Sequence, residues 1–378
     1  DLVIGGLGAD TLTGGSGADT FAYLTTTAIQ SGTAGASTKS TSLKTDTVTD
    51  FVAGSDSIRL TATMGNTAQT VDFTDKGDAA SISAGLALLS GVAGEYFFNT
   101  ADSQLVMDID GNGLIQATDM IINMTDETGF ASTDMDVRIT GGAAATTITT
   151  GGGNDIVIGG NNIDTILTGA GNDYIDPAAG NDADVMTGGS GNDTYVHRDA
   201  GAVDVYVELA SGGTDTIYVP STLTLVDDKF GTSTSAAANT SWNGLFEQVV
   251  MNGTNTTTLS SVSVSGHAIA FNTDGADTAT IALTATAVIS PLDASSFTFD
   301  SINYINSSGV SVAGTALTVA DGVNLTGGSG INTITASTIG GLVTGAAGND
   351  IIVLNAAVAV DKVIFSGGNS IANIKIAN

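Results

Sequence analysis

Asp10 and Asp19 each close a glycine-rich turn, Gly5-Gly6-Leu7-Gly8-Ala9-Asp10 and Gly14-Gly15-Ser16-Gly17-Ala18-Asp19, and with Asp1 they stand nine residues apart. The same step returns at Asp155, Asp164, Asp173 and Asp182, and again from Asp184 to Asp193 after a slip of two residues. Large apolar residues occupy the places between: Val157, Ile166, Ile175 and Tyr195. A repeated GGxGxDxUx nonapeptide, with U a large apolar residue, is the signature of a parallel β-roll. One coil takes two nonapeptides, which make two tight turns and two short strands. Position n then lies over n+18 at about 4.8 Å, the spacing of paired strands. Glycine supplies the positive φ the turns demand, and the U side chains stack into a thin apolar core.

The stacking decides what the carboxylates are for. Asp1 is expected over Asp19, Asp155 over Asp173, and Asp164 over Asp182. Two carboxylates about 5 Å apart repel by roughly 3 kcal/mol at an effective dielectric of about 20. A divalent cation between adjacent turns reverses that sign. Carboxylates and glycine carbonyls are hard oxygen donors suited to Ca²⁺ at about 2.3–2.6 Å, and folding is then coupled to metal.

Charge and composition fit this picture. The formal net charge is -30, from 39 acids against nine Lys and Arg. Only Glu95, Glu127, Glu208 and Glu247 are glutamates; the other acids are all Asp, a residue of turns, caps and calcium loops. Mean hydropathy is positive nonetheless, which argues for a β-protein with a core and against an acidic disordered tail. The field would repel phosphate, so nucleic acid is not an expected partner. No apolar run reaches the roughly 18 residues of a membrane helix. The chain has no Cys, which excludes a disulfide frame and suits an extracellular protein that crosses the envelope unfolded. It begins in mid-repeat at Asp1, as a piece of a longer protein would.

Four zones separate. Residues 1–140 hold the first repeats, a Ser/Thr/Ala/Gly linker over 25–45, and a β-segment with a helix candidate over Ala79 to Gly91. Residues 141–219 hold the second repeat block; there Thr146 fills an Asp slot, so that turn is expected to bind no metal. Residues 220–320 are Thr/Ser/Ala-rich β sequence. Residues 321–378 are a degenerate roll, where Gly327 to Asn332 and Gly348-Asn349-Asp350 keep the frame and Gly341 stands in the Asp slot between them.

Gly5 to Ala22 and Gly151 to Val196 resemble the RTX, or hemolysin-type calcium-binding, repeats of type I-secreted bacterial proteins. Two flanks sharpen the likeness. Asp19-Thr20-Phe21-Ala22-Tyr23 followed by Asp46 to Asp56 is similar to serralysin C-terminal domains and to RTX-type S-layer proteins. Gly212 to Ile217 and Phe246 to Gly253 resemble connectors between rolls in large RTX surface proteins. The resemblance implies Ca²⁺ ligands at the side chains of Asp10, Asp19, Asp155, Asp164, Asp173, Asp182 and Asp193. It implies carbonyl ligands at Gly6, Gly8, Gly15, Gly17, Gly171 and Gly191. Asp350 would serve the degenerate block.

Asp108-Ile109-Asp110-Gly111-Asn112-Gly113 with Asp119 matches a calcium loop at positions one, three, five and twelve. Gly at position four and Asp in place of a closing Glu depart from that pattern, and an Asp-Gly-Asn-Gly hairpin gives the same letters. His197 and His267 read as surface or turn residues. No HExxH or GxSxG is present, so no protease or hydrolase nucleophile signature exists. Trp242, Tyr96, Phe97 and Phe98 could form a glycan platform but fit core positions better.

The expected architecture is all-β and elongated: parallel β-roll blocks joined by irregular β-segments. The expected function is a non-enzymatic, calcium-dependent cell-surface protein of the S-layer type, extracellular and self-associating into a lattice or filament, with surface polysaccharide as a further partner. The alternatives are the secretion and stability module of a protease, lipase or epimerase, and an adhesin binding glycans or cells.

Overall fold

The computed structural model describes residues 1–24 except 7, then 45–116, 119–180, 182–198, 204–208, 212–220, 246–251 and 268–273. It adds the backbone of strands 223–225, 229–231 and 256–260 and of the strands beyond 279. The linker over 25–45 lies outside these but for its last residue. The chain divides into two compact units, one of residues 1–194 with 211–213, the other of 195–210 with 214–378.

Strands of the first unit follow the alternation of their side chains. They are β1 (Leu2–Val3), β2 (Thr11–Leu12), β3 (Thr20–Leu24), β4 (Asp46–Val48), β5 (Ser57–Thr63), β6 (Gln69–Asp72) and β7 (Asp75–Ala79). After helix α1 (Ile82–Leu86) come β8 (Tyr96–Asn99), β9 (Gln104–Met107), β10 (Met120–Met124) and β11 (Met135–Thr140). The repeat block supplies β12 (Thr146–Thr149), β13 (Ile156–Ile158), β14 (Thr165–Ala170), β15 (Tyr174–Asp176) and β16 (Val185–Ser190).

One face of the coil runs β1-β3-β5-β11-β13-β15 and the other β6-β12-β14-β16, with every neighbour parallel. The expected offset of eighteen holds for Leu2↔Thr20, Arg138↔Ile156, Ile156↔Tyr174 and Thr147↔Thr165. Elsewhere the coil absorbs extra chain, as in Thr20↔Ser57 and Ile58↔Met135. Between the faces lie Phe21, Ile58, Val137, Val157 and Ile175 from one side and Val71, Ile148, Ile166 and Met186 from the other, all fully buried. Each such side chain contributes roughly 1.5–3 kcal/mol by leaving water.

Residues 73–134 leave the coil. A third sheet, β2-β4-β10-β9-β8-β7, carries the antiparallel pairs β8/β9 and β9/β10. Phe97, Val106, Ile121 and Ala79 form its own cluster. The helix candidate shortens to α1: β7 extends through Ala79, the Ser81 side chain caps the helix by accepting from Ala84 N–H, and Gly85 packs against the Phe97 ring where no Cβ would fit. Past Leu86 the chain exposes Leu88 and reaches Gly91 at φ 82°, so the apolar run does not continue as a helix.

In the second unit, a seven-stranded sheet pairs in parallel from Leu223–Leu225 through Thr256–Ser260, Thr280–Thr284, Thr315–Val319, Asn332–Thr335 and Ile351–Asn355 to Ile374–Ala377. Its rungs vary in length: Leu223 pairs with Thr257, Thr256 with Thr280, and Thr333 with Ile351. The segment after Pro220 is therefore irregular in rung length and regular in pairing.

Two glycines separate strain from collision. Gly17 (φ 118°) has nothing within 4 Å of an added Cβ, whereas a Cβ at Gly171 (φ 125°) would strike Gly153 O. Gly17→Ala should cost on the order of 1–2 kcal/mol of strain, and Gly171→Ala at least about 3 kcal/mol. Thermal unfolding in calcium checks the order of the two.

Candidate metal centre

The turns preceding the strands of each face bring their aspartates into two columns. One repeated bond builds both: the Oδ1 of each aspartate accepts the N–H of the residue one rung below. In the first column Asp19 N–H donates to Asp56 (2.9 Å), Val137 N–H to Asp155 (2.6 Å), Asp155 N–H to Asp173 (2.8 Å) and Asp173 N–H to Asp193 (2.8 Å). In the second, Thr146 N–H donates to Asp164 (2.8 Å) and Asp164 N–H to Asp184 (2.7 Å), and in the third sheet Asp10 N–H makes the same bond to Asp46 (3.0 Å).

The second oxygens differ. Oδ2 of Asp10, Asp19, Asp155 and Asp173 is buried with no hydrogen-bond partner. Oδ2 of Asp164 accepts Gly160 N–H at 2.6 Å. The Thr150 hydroxyl lies beside Asp155 but donates to Thr168 O at 3.1 Å. Burial pushes the Asp155 carboxyl up to about 8, against the Thr150 hydroxyl and the Val137 amide, which lower it. Burial likewise raises Asp173 and Asp164.

The glycines complete the cradle. Gly6, Gly8, Gly15, Gly17, Gly171 and Gly191 all take positive φ. A Cβ at Gly171 would meet Gly153 O, one at Gly189 Gly169 O, and one at Gly191 Gly171 O. Carbonyl oxygens thus crowd the space between rungs in the turns that carry Asp155, Asp173 and Asp193. Hard donors facing one another with no proton between them fit a divalent cation.

Asp164 pairs with Asp184 and not with Asp182. The coil here takes twenty residues, because Thr165 registers with Val185. Asp184 is buried; Asp182 is half-buried in the preceding turn, near enough to Asp164 to raise it electrostatically. Asp46 and Asp56 also accept this bond, although no glycine repeat announces them. Asp350 lies outside the described residues.

The Asp108–Asp119 loop joins the antiparallel strands β9 and β10, so the hairpin reading is right about topology. It also gathers Asp108, Asp110 and Asp119, each buried, with ligand oxygens within 4.8 Å of one another. Asp108 accepts Gly111 N–H and Gly113 N–H, both at 2.7 Å, and Asn112 accepts Leu114 N–H at 2.8 Å. Burial, with Asp110 and Asp108 adding to it, brings Asp119 up to about 7.

His197 is not a surface residue: it is 1% exposed, with Nδ1 2.6 Å from Tyr206 Oη. The strand Tyr195-Val196 carries it into the interior of the second unit. His267 and Trp242 lie outside the described residues. Tyr96, Phe97 and Phe98 are core, and Tyr96 stacks edge-on against Phe130 at 6.0 Å.

Two outcomes follow from these placements. Asp184→Ala strands a buried amide and should cost about 1–3 kcal/mol, whereas Asp182→Ala should change stability by less than about 0.5 kcal/mol; denaturant unfolding in calcium compares them. Burial holds the His197 pKa down at about 4, below the unfolded value of about 6.5. Its contribution is complete above pH ~6.5 and is lost as pH falls toward 4, by about 3 kcal/mol. The stability difference between wild type and His197→Gln should narrow by that amount across this window.

Residues 1–137 match the family Peptidase M10 serralysin C terminal. Residues 149–183 and 159–195 match the RTX calcium-binding nonapeptide repeat. No curated protein and no solved structure matches the chain. Among the described residues, no helix is long and apolar enough to cross a membrane. The chain is thus an RTX-repeat protein whose first 137 residues are similar to the serralysin C-terminal family.

Proposed function

We propose that this chain is a non-catalytic, calcium-folded structural module of an exported bacterial protein. The observation that carries the reading is the pair of buried, unpartnered Oδ2 atoms at Asp155 and Asp173, one rung apart. Several ions would be held by Asp10, Asp19, Asp155, Asp173 and Asp193 with backbone carbonyls of the adjoining turns, and a further ion by Asp108, Asp110, Asn112 and Asp119. Asp164 and Asp184 would serve the second column. Calcium supplies only charge and coordination. The residues themselves hold the turns at one-rung spacing and keep the apolar column closed. A chain of this net charge with no cation for its columns stays open for export and closes in an extracellular medium of millimolar Ca²⁺.

The finer reading is an S-layer-type surface subunit that assembles with copies of itself. Its support is the second unit, where parallel pairing continues to Ile374–Ala377, well past the matched repeats. The match over residues 1–137 supports a second reading, the stability and secretion module of a secreted enzyme.

The full chain in chelator should lose most of its β signal by circular dichroism and regain it as Ca²⁺ rises to millimolar. A spectrum indifferent to chelator would overturn the calcium-coupled reading. With Ca²⁺, negative-stain microscopy should show sheets or filaments for a lattice protein; strict monomers throughout the titration would favour the module.

A further inference from the structure

The matched repeats begin at residue 149, yet the turn one rung below has the same build. Arg138 registers with Ile156, which sets Asp136 beneath Asn154 and Met135 beneath Gly153. Asn154 N–H donates to Asp136 Oδ1 at 3.1 Å, as Asn172 N–H does to Asn154 Oδ1 at 2.7 Å one rung higher. Met135 O blocks a Cβ at Gly153, just as Gly153 O blocks one at Gly171. The turn Ser132-Thr133-Asp134-Met135-Asp136 therefore reproduces a repeat turn without a single glycine.

Three oxygens here are buried without a hydrogen-bond partner: Asp155 Oδ2, Asp134 Oδ2 and Tyr96 Oη, on residues 1%, 3% and 0% exposed. Asp155 reaches down onto this turn, because its Oδ1 is held by Val137 N–H. Asp134 is anchored by Gly54 N–H at 3.0 Å. Gly152 packs on Ser132 and Gly153 on Met135 too closely for a Cβ, so the turns that carry Asp155 and Asp134 are in direct contact; burial raises the Tyr96 phenol, with Asp75, Asp155 and Asp134 adding to it. Arg59, the cation beside it, is committed to Asp136 at 3.3 Å.

We propose that a divalent cation of the calcium type binds between the repeat turn Gly151–Asp155 and the glycine-free turn Ser132–Asp136, held by Asp155 Oδ2, Asp134 Oδ2 and the Met135 carbonyl. The ion would staple the serralysin-like segment to the repeat block, one rung before the repeats begin. This rests on the reading of the repeats as calcium-bound, and it adds a site that the repeat pattern does not contain.

The test uses the full chain. Asp134→Asn keeps an oxygen for Gly54 N–H and removes the charge. Calcium stoichiometry by isothermal titration should fall by one ion against wild type, or one class of sites should weaken at least tenfold, while the calcium-induced circular dichroism of the repeats is kept. Asp173→Asn, in the repeats, is the contrasting control. Tyr96→Phe removes only an unpartnered hydroxyl; after chelation and terbium loading it should lose a resolvable step of tyrosine-sensitised emission. Wild-type stoichiometry and affinity in Asp134→Asn would overturn the site. Should that variant fail to fold, unchanged terbium emission in Tyr96→Phe would do so. If wild type itself binds no calcium, the broader reading fails instead.

Discussion

The structure turns on a bond that, at Asp155 and Asp173, satisfies only half of the carboxylate. In the columns, an aspartate fixes the rung spacing by accepting the amide below with Oδ1, and at Asp155 and Asp173 burial leaves Oδ2 without a donor. A backbone bond to a charged acceptor contributes about 1.5–3 kcal/mol, comparable with the roughly 3 kcal/mol of repulsion between carboxylates one rung apart. Without a cation the two nearly cancel, and desolvation tips the balance against folding. The lift of Asp155 to about 8 expresses the same conflict. Every other feature of the roll, from glycine carbonyls packed under the next turn to the single-file apolar core, presupposes that it is resolved.

Residues 73–134 hold one buried acid differently. Glu95 is fully buried but accepts Ser90 Oγ–H, the N–H groups of Ser90 and Gly91, and Lys76 at 3.1 Å. Lys76 also binds Asp72 at 2.7 Å. Aromatic contacts run from Phe21 through Phe51 and Phe130 to Tyr96, tying this insert to the coil by packing. The first unit thus joins a region held by aromatic packing and the Lys76 ion pairs to the stacked turns of the coil.

What was legible in the sequence follows from how local its cause is. The U positions Val157, Ile166, Ile175 and Tyr195 are all fully buried as the nonapeptide requires, because strand alternation is a two-residue property. Pairing partners were legible only where the rung is eighteen residues. Asp182 sits in the right frame locally, but the two added residues are absorbed in its turn, and the strand that follows places Asp184 over Asp164. Asp46 and Asp56 were hidden because the rung beneath each is 36 or 37 residues away. The turn at 132–136 lacks the glycine that made the others visible; its place under a repeat turn comes from the register of β11 with β13. His197 looked exposed because polarity was the only cue, and burial depended on Tyr206, nine residues on.

The Asp108 loop shows why letters alone could not choose between a hairpin and an ion site. It is a hairpin, and a hairpin of polar residues would ordinarily leave its carboxylates in water. Here Gly111 packs against Ala93 so closely that a Cβ would meet the backbone, and that contact turns the loop inward, burying three acids together. Their backbone donors satisfy geometry but supply no compensating charge. Asp119, raised to about 7, shows that such a cluster can shed one negative charge by taking a proton near neutrality. A divalent cation does the same work with more charge and with oxygen ligands already in place, so proton and metal compete for one vacancy in the electrostatics. The loop's cation affinity must therefore fall as pH drops below about 7, whichever ion fills it.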